Sequence, residues 1–258
     1  MSDLGKRDAF LKPSAGSEPL EAAQSRSFHL ESPCHACPVR PLSVCNSLDL
    51  DELQHLERII TRLSLDQGDP LFDEGEPANH VFNVTGGCIK VYKLLPDGRR
   101  QIIGFLFPGD FLGLAITDEY AYSAEAVSAS SLCRMPRRDL DVLLDRFPKL
   151  EKQLLNVASN ELAIAQDQML LLGRKTAKEK VASMLLMVSK RARDRGQTDN
   201  PVFMPMTRSD IGDYLGLTTE TVSRTFTQLK GDELIAMERG NRISLANLEA
   251  LEEIAEGY

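Results

Sequence analysis

The chain of 258 residues has no run of about 18 apolar residues, the length a membrane-crossing helix needs, so no span through a bilayer is expected. Its first thirty residues lack the apolar stretch of a secretory signal; Lys6, Arg7, Lys12, Glu18 and Glu21 are scattered there among small and polar types. The expectation is a cytoplasmic protein with no membrane partner. Positive charge is also in deficit. A net charge of −8 argues at first against nucleic acid, but residues 174–242 hold 13 Lys and Arg against 9 Asp and Glu. Phosphates respond to the field within a Debye length of ~10 Å, so a DNA-binding end on an acidic body is permitted.

Histidine is sparse, and His29, His35, His55 and His80 are scattered. No nucleophile–base or metal–carboxylate constellation stands out, and no enzyme is expected. No internal repeat is found. Cysteine is scarce too, with five in the chain, and in a reducing compartment these do not form structural disulfides. Yet Cys34, Cys37 and Cys45 fall close together. What remains is ordinary: 42% hydrophobic and 26% charged residues fit a soluble globular chain of two domains.

Residues 1–32 mix small and charged types without periodicity and read as a flexible tail. Residues 33–48, the cysteine segment, are broken by Pro33, Pro38 and Pro41 into loop or one short helical turn. Asp49 caps a helix carrying Leu53, Leu56, Ile59, Ile60 and Leu63 at helical spacing. From Leu65 to Met135, runs rich in Val, Ile, Phe and Tyr alternate with Gly- and Pro-containing turns; Cys88–Leu95 and Arg99–Phe107 straddle Pro96-Asp97-Gly98 as a hairpin. Such strands suggest a small antiparallel barrel or jelly roll within residues 49–146. A short helix over Arg137–Asp145 leads to a long one, Pro148 to Arg174, within residues 147–174.

On the long helix Leu155, Ala158, Leu162, Ala165, Met169 and Leu172 repeat in steps of three and four, the a/d pattern of a coiled-coil seam. A helix buried against its own domain is the competing reading. The narrow stripe of alternating small and large residues favours a homodimer.

Residues 175–258 read as mostly helical, beginning with Thr176–Arg195 and a polar loop over 196–205. Thr207 starts a helix with Asp210 in its first turn, and Ile211, Tyr214 and Leu215 supply its buried face. Gly216 permits a tight turn, and Thr218 caps a second helix with Val222, Phe226 and Leu229 inward. This is a helix-turn-helix, whose second helix enters the major groove of double-stranded DNA. Glu220, Ser223 and Arg224 share one outward face: Arg suits guanine O6 and N7, Glu suits cytosine N4, and Ser adds a flexible contact. Thr207, Arg208, Thr218 and Thr219 complete the candidate DNA-binding set. Leu234–Met237 and Arg242–Leu245 flank Gly240-Asn241 as a wing.

Cys34-x2-Cys37-x7-Cys45 places three thiolates in one segment and leaves a fourth ligand to Cys133 or Cys88. Such a set suits zinc or a cubane iron–sulfur cluster, and spacing does not separate them.

Together the cysteine segment, the stretch Met169–Lys180 and the helix Thr218–Arg224 resemble the FNR-type regulators of the cyclic AMP receptor protein/FNR superfamily, in their CX2CX7C branch. The resemblance covers about residues 33–250. It implies an α+β fold: an N-terminal antiparallel β-roll or jelly-roll sensor domain, a long dimerisation helix and a C-terminal winged helix-turn-helix domain. It implies a [4Fe–4S] cluster on Cys34, Cys37, Cys45 and Cys133, with Cys88 left as a half-buried strand residue. It further implies oxygen-responsive activation through RNA polymerase, and palindromic TTGAT-type operators read by Glu220, Ser223 and Arg224. The cyclic AMP receptor protein has an Arg where Thr219 stands. Two departures are visible. Cyclic-nucleotide sensors place an Arg for the phosphate in the loop here occupied by Phe111–Glu125, which holds none, so cyclic nucleotide binding is not expected. An Asp that disfavours pairing in the family's seam corresponds here to Ala165. A haem- or nitric-oxide-responsive regulator with zinc at the cysteines, and an iron–sulfur electron carrier, are the rival readings.

Overall fold

Asp49 opens the first regular helix with a reciprocal cap: its carboxylate accepts from the Glu52 amide, and Glu52 accepts from the Asp49 amide. The helix α1 (Leu50–Ile59) buries Leu53 and Leu56 and stops at Ile60, whose backbone is extended. Leu63, placed by periodicity on this helix, instead lies on strand β1 (Thr61–Leu65) opposite Leu132. Alternate residues of a strand bury leucine as well as successive helical turns do, so a short apolar pattern fits either. The computed structural model describes residues 33–115 and 117–257, and the chain divides into two units after Ala36. The tail expected over 1–32 lies outside the described residues.

Two four-stranded antiparallel sheets follow. One has the order β1-β8-β3-β6, with β3 at His80–Gly86, β6 at Phe111–Leu112 and β8 at Ser130–Pro136. The other has the order β2-β7-β4-β5, with β2 at Pro70–Phe72, β4 at Ile89–Leu94, β5 at Arg100–Leu106 and β7 at Ser123–Ala126. Their facing sides share a core of Phe72, Phe82, Val84, Ile89, Leu112 and Leu132. The hairpin read around Pro96-Asp97-Gly98 is present as β4 and β5. Cys133 sits on β8, between Arg62 of β1 and Asn83 of β3.

Helix α2 (Arg137–Arg146) leads to α3 (Pro148–Arg174), whose first turns bury Leu150 and Leu154. Beyond them the helix is bare: Leu155, Leu162 and Met169 are 66%, 62% and 72% exposed. That excludes burial of this stripe against its own chain and leaves an apolar face uncovered. Leu172 differs, being half-buried beside the helix-turn-helix glycine Gly216. Among the described residues no helix is long and apolar enough to cross a membrane.

After an extended Lys175, α4 (Ala177–Asp194) begins the C-terminal domain with a capping box between Thr176 and Glu179. The loop expected over 196–205 contains a short strand, β9 (Val202–Phe203), which joins β10 (Ile235–Met237) and β11 (Arg242–Leu245) in a three-stranded wing. Helices α5 (Arg208–Leu215) and α6 (Thr219–Gly231) form the helix-turn-helix, and α7 (Leu248–Glu256) closes the domain against α4.

One core runs through both domains. Ile102, Phe105 and Phe107 of the barrel side pack into the cluster that holds Val181, Ile211 and Leu215. Cys88 belongs to that cluster and is 1% exposed, a correction to its expected half-burial. Strand alternation reports only the barrel's own faces; it carries no sign that a second domain covers this one.

Candidate nucleic-acid interface and cysteine centre

Thr207 caps α5: its hydroxyl donates to Asp210 Oδ2 at 2.6 Å and accepts the Asp210 amide at 3.0 Å. Gly216 ends the helix in the left-handed region at φ 62°, where a residue without a β-carbon is least strained. Thr218 then accepts the Thr221 amide to start α6. Val222, Phe226 and Leu229 face inward and are buried. Glu220, Ser223 and Arg224 all face solvent, as does Thr219. The Glu220 carboxyl is held below the usual range by hydrogen bonding from its own backbone amide and the Thr218 hydroxyl, aided by the Arg224 charge. It is therefore an ionised acceptor at neutral pH. Ser223 Oγ donates back to the Thr219 carbonyl at 2.8 Å, and Arg224 reaches the Thr221 hydroxyl at 3.4 Å, a contact loose enough to exchange for a base edge. The remaining two candidates are engaged inside the domain: the Thr207 hydroxyl by its cap, and Arg208 by the ring of Phe226.

The cysteine segment folds as two 3-10 turns, Arg40–Leu42 and Val44–Ser47, rather than as loop or a single turn. Val39, Ser43, Val44 and Leu48 are buried, and Arg40 Nη2 donates to the Leu48 carbonyl at 2.9 Å. The second turn packs on α3, and Leu42 lies against Gly109 of the barrel. Lys149 near the start of α3 pairs with Asp49 at 3.0 Å and with Glu52, pinning the same region from the other side. Cys37 and Cys45 are half-buried there, as is Cys133.

The thiols bear on one another. Burial, aided by incipient charge on Cys45 and Cys37, pushes Cys133 up to about 11. Cys45 is raised chiefly by burial, with Cys37 adding to it. Thiols raised in this way, as Cys133 and Cys45 are, gain by binding a cationic centre. Among the described residues, however, no three His, Cys, Asp or Glu side chains meet at the spacing of one metal ion. Cys34 lies in the turn at residues 33–36, upstream of the division in the chain. Its neighbour His35 has a buried Nε2 without a hydrogen-bond partner.

Residues 62–147 match the model of the cyclic nucleotide-binding domain, and residues 179–254 that of the Crp-like helix-turn-helix domain. The chain is 42% identical over 221 residues to the nitrogen fixation regulation protein FixK of Bradyrhizobium diazoefficiens, covering 84% of this chain and 93% of that protein. It is 39% identical over 225 residues to the transcriptional activator protein Anr of Pseudomonas protegens, covering 86% and 91%. The solved structure of FixK2 from Bradyrhizobium japonicum superposes with a TM-score of 0.72 at 38% identity, covering 76% of this chain and 97% of that one.

The chain belongs to the Crp/Fnr superfamily of transcriptional regulators. It is a DNA-binding protein and not an enzyme, with the architecture that its resemblance implied: a β-roll, a long helix and a winged helix-turn-helix. What sequence reasoning missed in this Crp/Fnr chain is how the DNA-binding domain is held. Lys90, Arg100 and Gln101 of the barrel hairpin bond to α5. The one available signal was Asp210 and Asp213, two acids on a helix destined for polyanionic DNA.

Proposed function

We propose that this regulator is a cytoplasmic homodimer that responds to oxygen through a [4Fe–4S] cluster held by Cys34, Cys37, Cys45 and Cys133. The reading is carried by the seat of the cysteine segment: Cys45 lies in the turn that packs on α3, Leu42 beside that turn rests on Gly109 of the barrel, and Cys45 and Cys37 are within electrostatic reach of Cys133. Cys34 joins the set from its CxxC spacing with Cys37. When bound, the cluster supplies an oxygen-labile link between this segment and the barrel. The chain's own part is mechanical. The 3-10 turns rest on the start of α3, so the order of the segment bears on the helix whose bare stripe pairs with a second copy. Pairing sets two α6 helices about one helical turn of DNA apart, ~34 Å, the spacing a two-fold operator demands. Glu220, Ser223 and Arg224 then read TTGAT-type half-sites, and activation proceeds through RNA polymerase.

Cyclic nucleotide plays no part in this reading. Inside the barrel, Phe72 stacks on Tyr120 at 3.7 Å between ring centres, with Phe82 and Tyr122 against the same ring. These rings fill space, and Arg137 donates to the Ala115 and Thr117 carbonyls instead of waiting for a phosphate.

Iron and acid-labile sulfide in anaerobically purified protein, compared with Cys133→Ser, test the proposal. Brown protein that bleaches in air, and binds a palindromic TTGAT operator only before bleaching, is the expected result. Colourless zinc-loaded protein, or iron retained in full by Cys133→Ser, overturns it.

A further inference from the structure

Asp210 and Asp213 on α5 point toward the barrel. Lys90 Nζ on β4 lies 3.1 Å from Asp210 Oδ1 and 2.8 Å from Glu125 Oε1 on β7, and the Lys90 and Asp210 side chains are each 7% exposed. Arg100 on β5 bridges Asp210 Oδ1 at 3.1 Å and Asp213 Oδ2 at 2.9 Å. Gln101 Nε2 donates to the Asp213 carbonyl at 2.7 Å and to that of Tyr214 at 3.4 Å. From α3, Gln168 Nε2 donates to the same Tyr214 carbonyl at 3.0 Å. Helix α5 is thus gripped along one side while the outer face of α6 stays open.

The chemistry of this grip favours orientation over strength. Apolar packing such as Phe105 against Tyr214, 5.3 Å between ring centres, tolerates small sliding. A buried ammonium between two carboxylates does not, because displacement leaves charge unpaired in a poor solvent. Donors aimed at the last carbonyls of a helix likewise accept one pose. Covalently, the two domains meet only through the extended residue Lys175 between α3 and α4, so the bonds to α5, together with those that Arg191 and Arg195 at the far end of α4 make to Phe105, Pro108 and Asp110 of the barrel, decide how the domain turns about it.

We infer that Lys90, Arg100 and Gln101 are positioning residues for operator recognition, fixing α5 on the barrel and so setting the distance between the two recognition helices of the dimer. The inference rests on the dimeric operator-binding reading above. It assigns half-site spacing, as distinct from base identity, to residues of the sensor barrel. Arg224 and Glu220 choose the bases; the grip on α5 chooses how far apart the two half-sites stand.

The test uses full-length anaerobic protein and operators of identical half-sites whose centre is lengthened or shortened by one or two base pairs. Wild-type protein is expected to lose ~10-fold or more in affinity for one base pair of misfit, the scale of a lost specific contact. Arg100→Gln with Gln101→Ala, and separately Lys90→Met, are expected to flatten that profile to within about threefold, while affinity for a single half-site stays unchanged. Gln101→Ala alone removes only neutral bonds to carbonyls and gives a milder form of the same flattening if Lys90→Met does not fold. Folded variants that keep the wild-type spacing profile overturn the inference, as do variants that lose single half-site binding. Wild-type protein indifferent to spacing overturns the operator reading with it.

Discussion

The guanidinium carbon of Arg208 lies 3.4 Å from the centre of the Phe226 ring, and Arg208 Nη2 reaches Met237 Sδ at 3.8 Å. One side chain thereby ties α5 to α6 and to the wing. Arg208 also stands at the first position of α5, where a phosphate contact is the natural expectation, and the two roles predict different data. A desolvated cation–π contact is worth about 1–2 kcal/mol. Arg208→Ala is therefore expected to lower the melting temperature and to weaken binding to all operators alike. Its slope of log affinity against log salt should match wild type. Loss of a phosphate contact would instead reduce that slope by about one.

Those parts of the molecule written in local signals are legible in the amino-acid sequence. Pro148 opens α3 and the chain leaves helical geometry at Lys175, as proline at a first helical position and an unbroken seam imply. The caps at Thr207 and Thr218 and the left-handed Gly216 mark the helix-turn-helix, because each needs only residues a few positions away. Leu63 escapes such reading, since a five-residue strand and a last helical turn leave the same apolar trace. The burial of Cys88 and the pairing of Lys90 with Asp210 depend on partners more than a hundred positions distant in sequence or on a different domain, and no spacing rule reports them. In the cysteine segment the spacing exposes the ligand types, while its anchorage on α3 emerges only with the fold.

That anchorage has a weak point at Gly109. Its φ is +100°, and a β-carbon there would stand 2.7 Å from Leu42 Cβ and 3.2 Å from the Leu42 carbonyl oxygen. Gly109→Ala must both strain the backbone, by about 1–3 kcal/mol, and push Leu42 outward between Cys37 and Cys45. Gly75 provides the control, with φ +86° and nothing within 4 Å of the added carbon. Both substitutions are expected to lower thermal stability; under the cluster proposal above, only Gly109→Ala should hasten iron loss from anaerobic protein. Equal rates of iron release would show that the contact with Leu42 does not hold the segment.

Acid should loosen the grip on α5. Burial works to raise the Asp210 carboxyl, but hydrogen bonds from Thr207 and Lys90 outweigh it and hold it below its ordinary value of 3.8. A depressed native value means that the unfolded chain binds the proton more readily. The stabilisation is then complete above pH 3.8 and disappears as pH falls through the native value. Circular dichroism melts between neutrality and strong acid should show the C-terminal domain losing stability below that point. Asp210→Asn, which cannot titrate, should start less stable and give a flatter acid limb. An unchanged limb would assign the acid sensitivity to other carboxylates.

The bare stripe on α3 makes the sharpest prediction about assembly. Burying Leu155, Leu162 and Met169 against a second copy is worth about 1.5–3 kcal/mol each, before the cost of association. Ala165 lies on the same stripe and brings no charge to oppose pairing. Under the cluster proposal above, wild-type protein stripped of metal in air is therefore expected to remain partly dimeric in sedimentation velocity. Ala165→Asp sets two carboxylates facing each other across the two-fold axis, and like charges so placed cost several kcal/mol. It should convert the stripped protein to monomer at micromolar concentration while leaving its far-ultraviolet spectrum unchanged. A clean monomer in the stripped wild type would mean that this apolar stripe does not hold the dimer by itself.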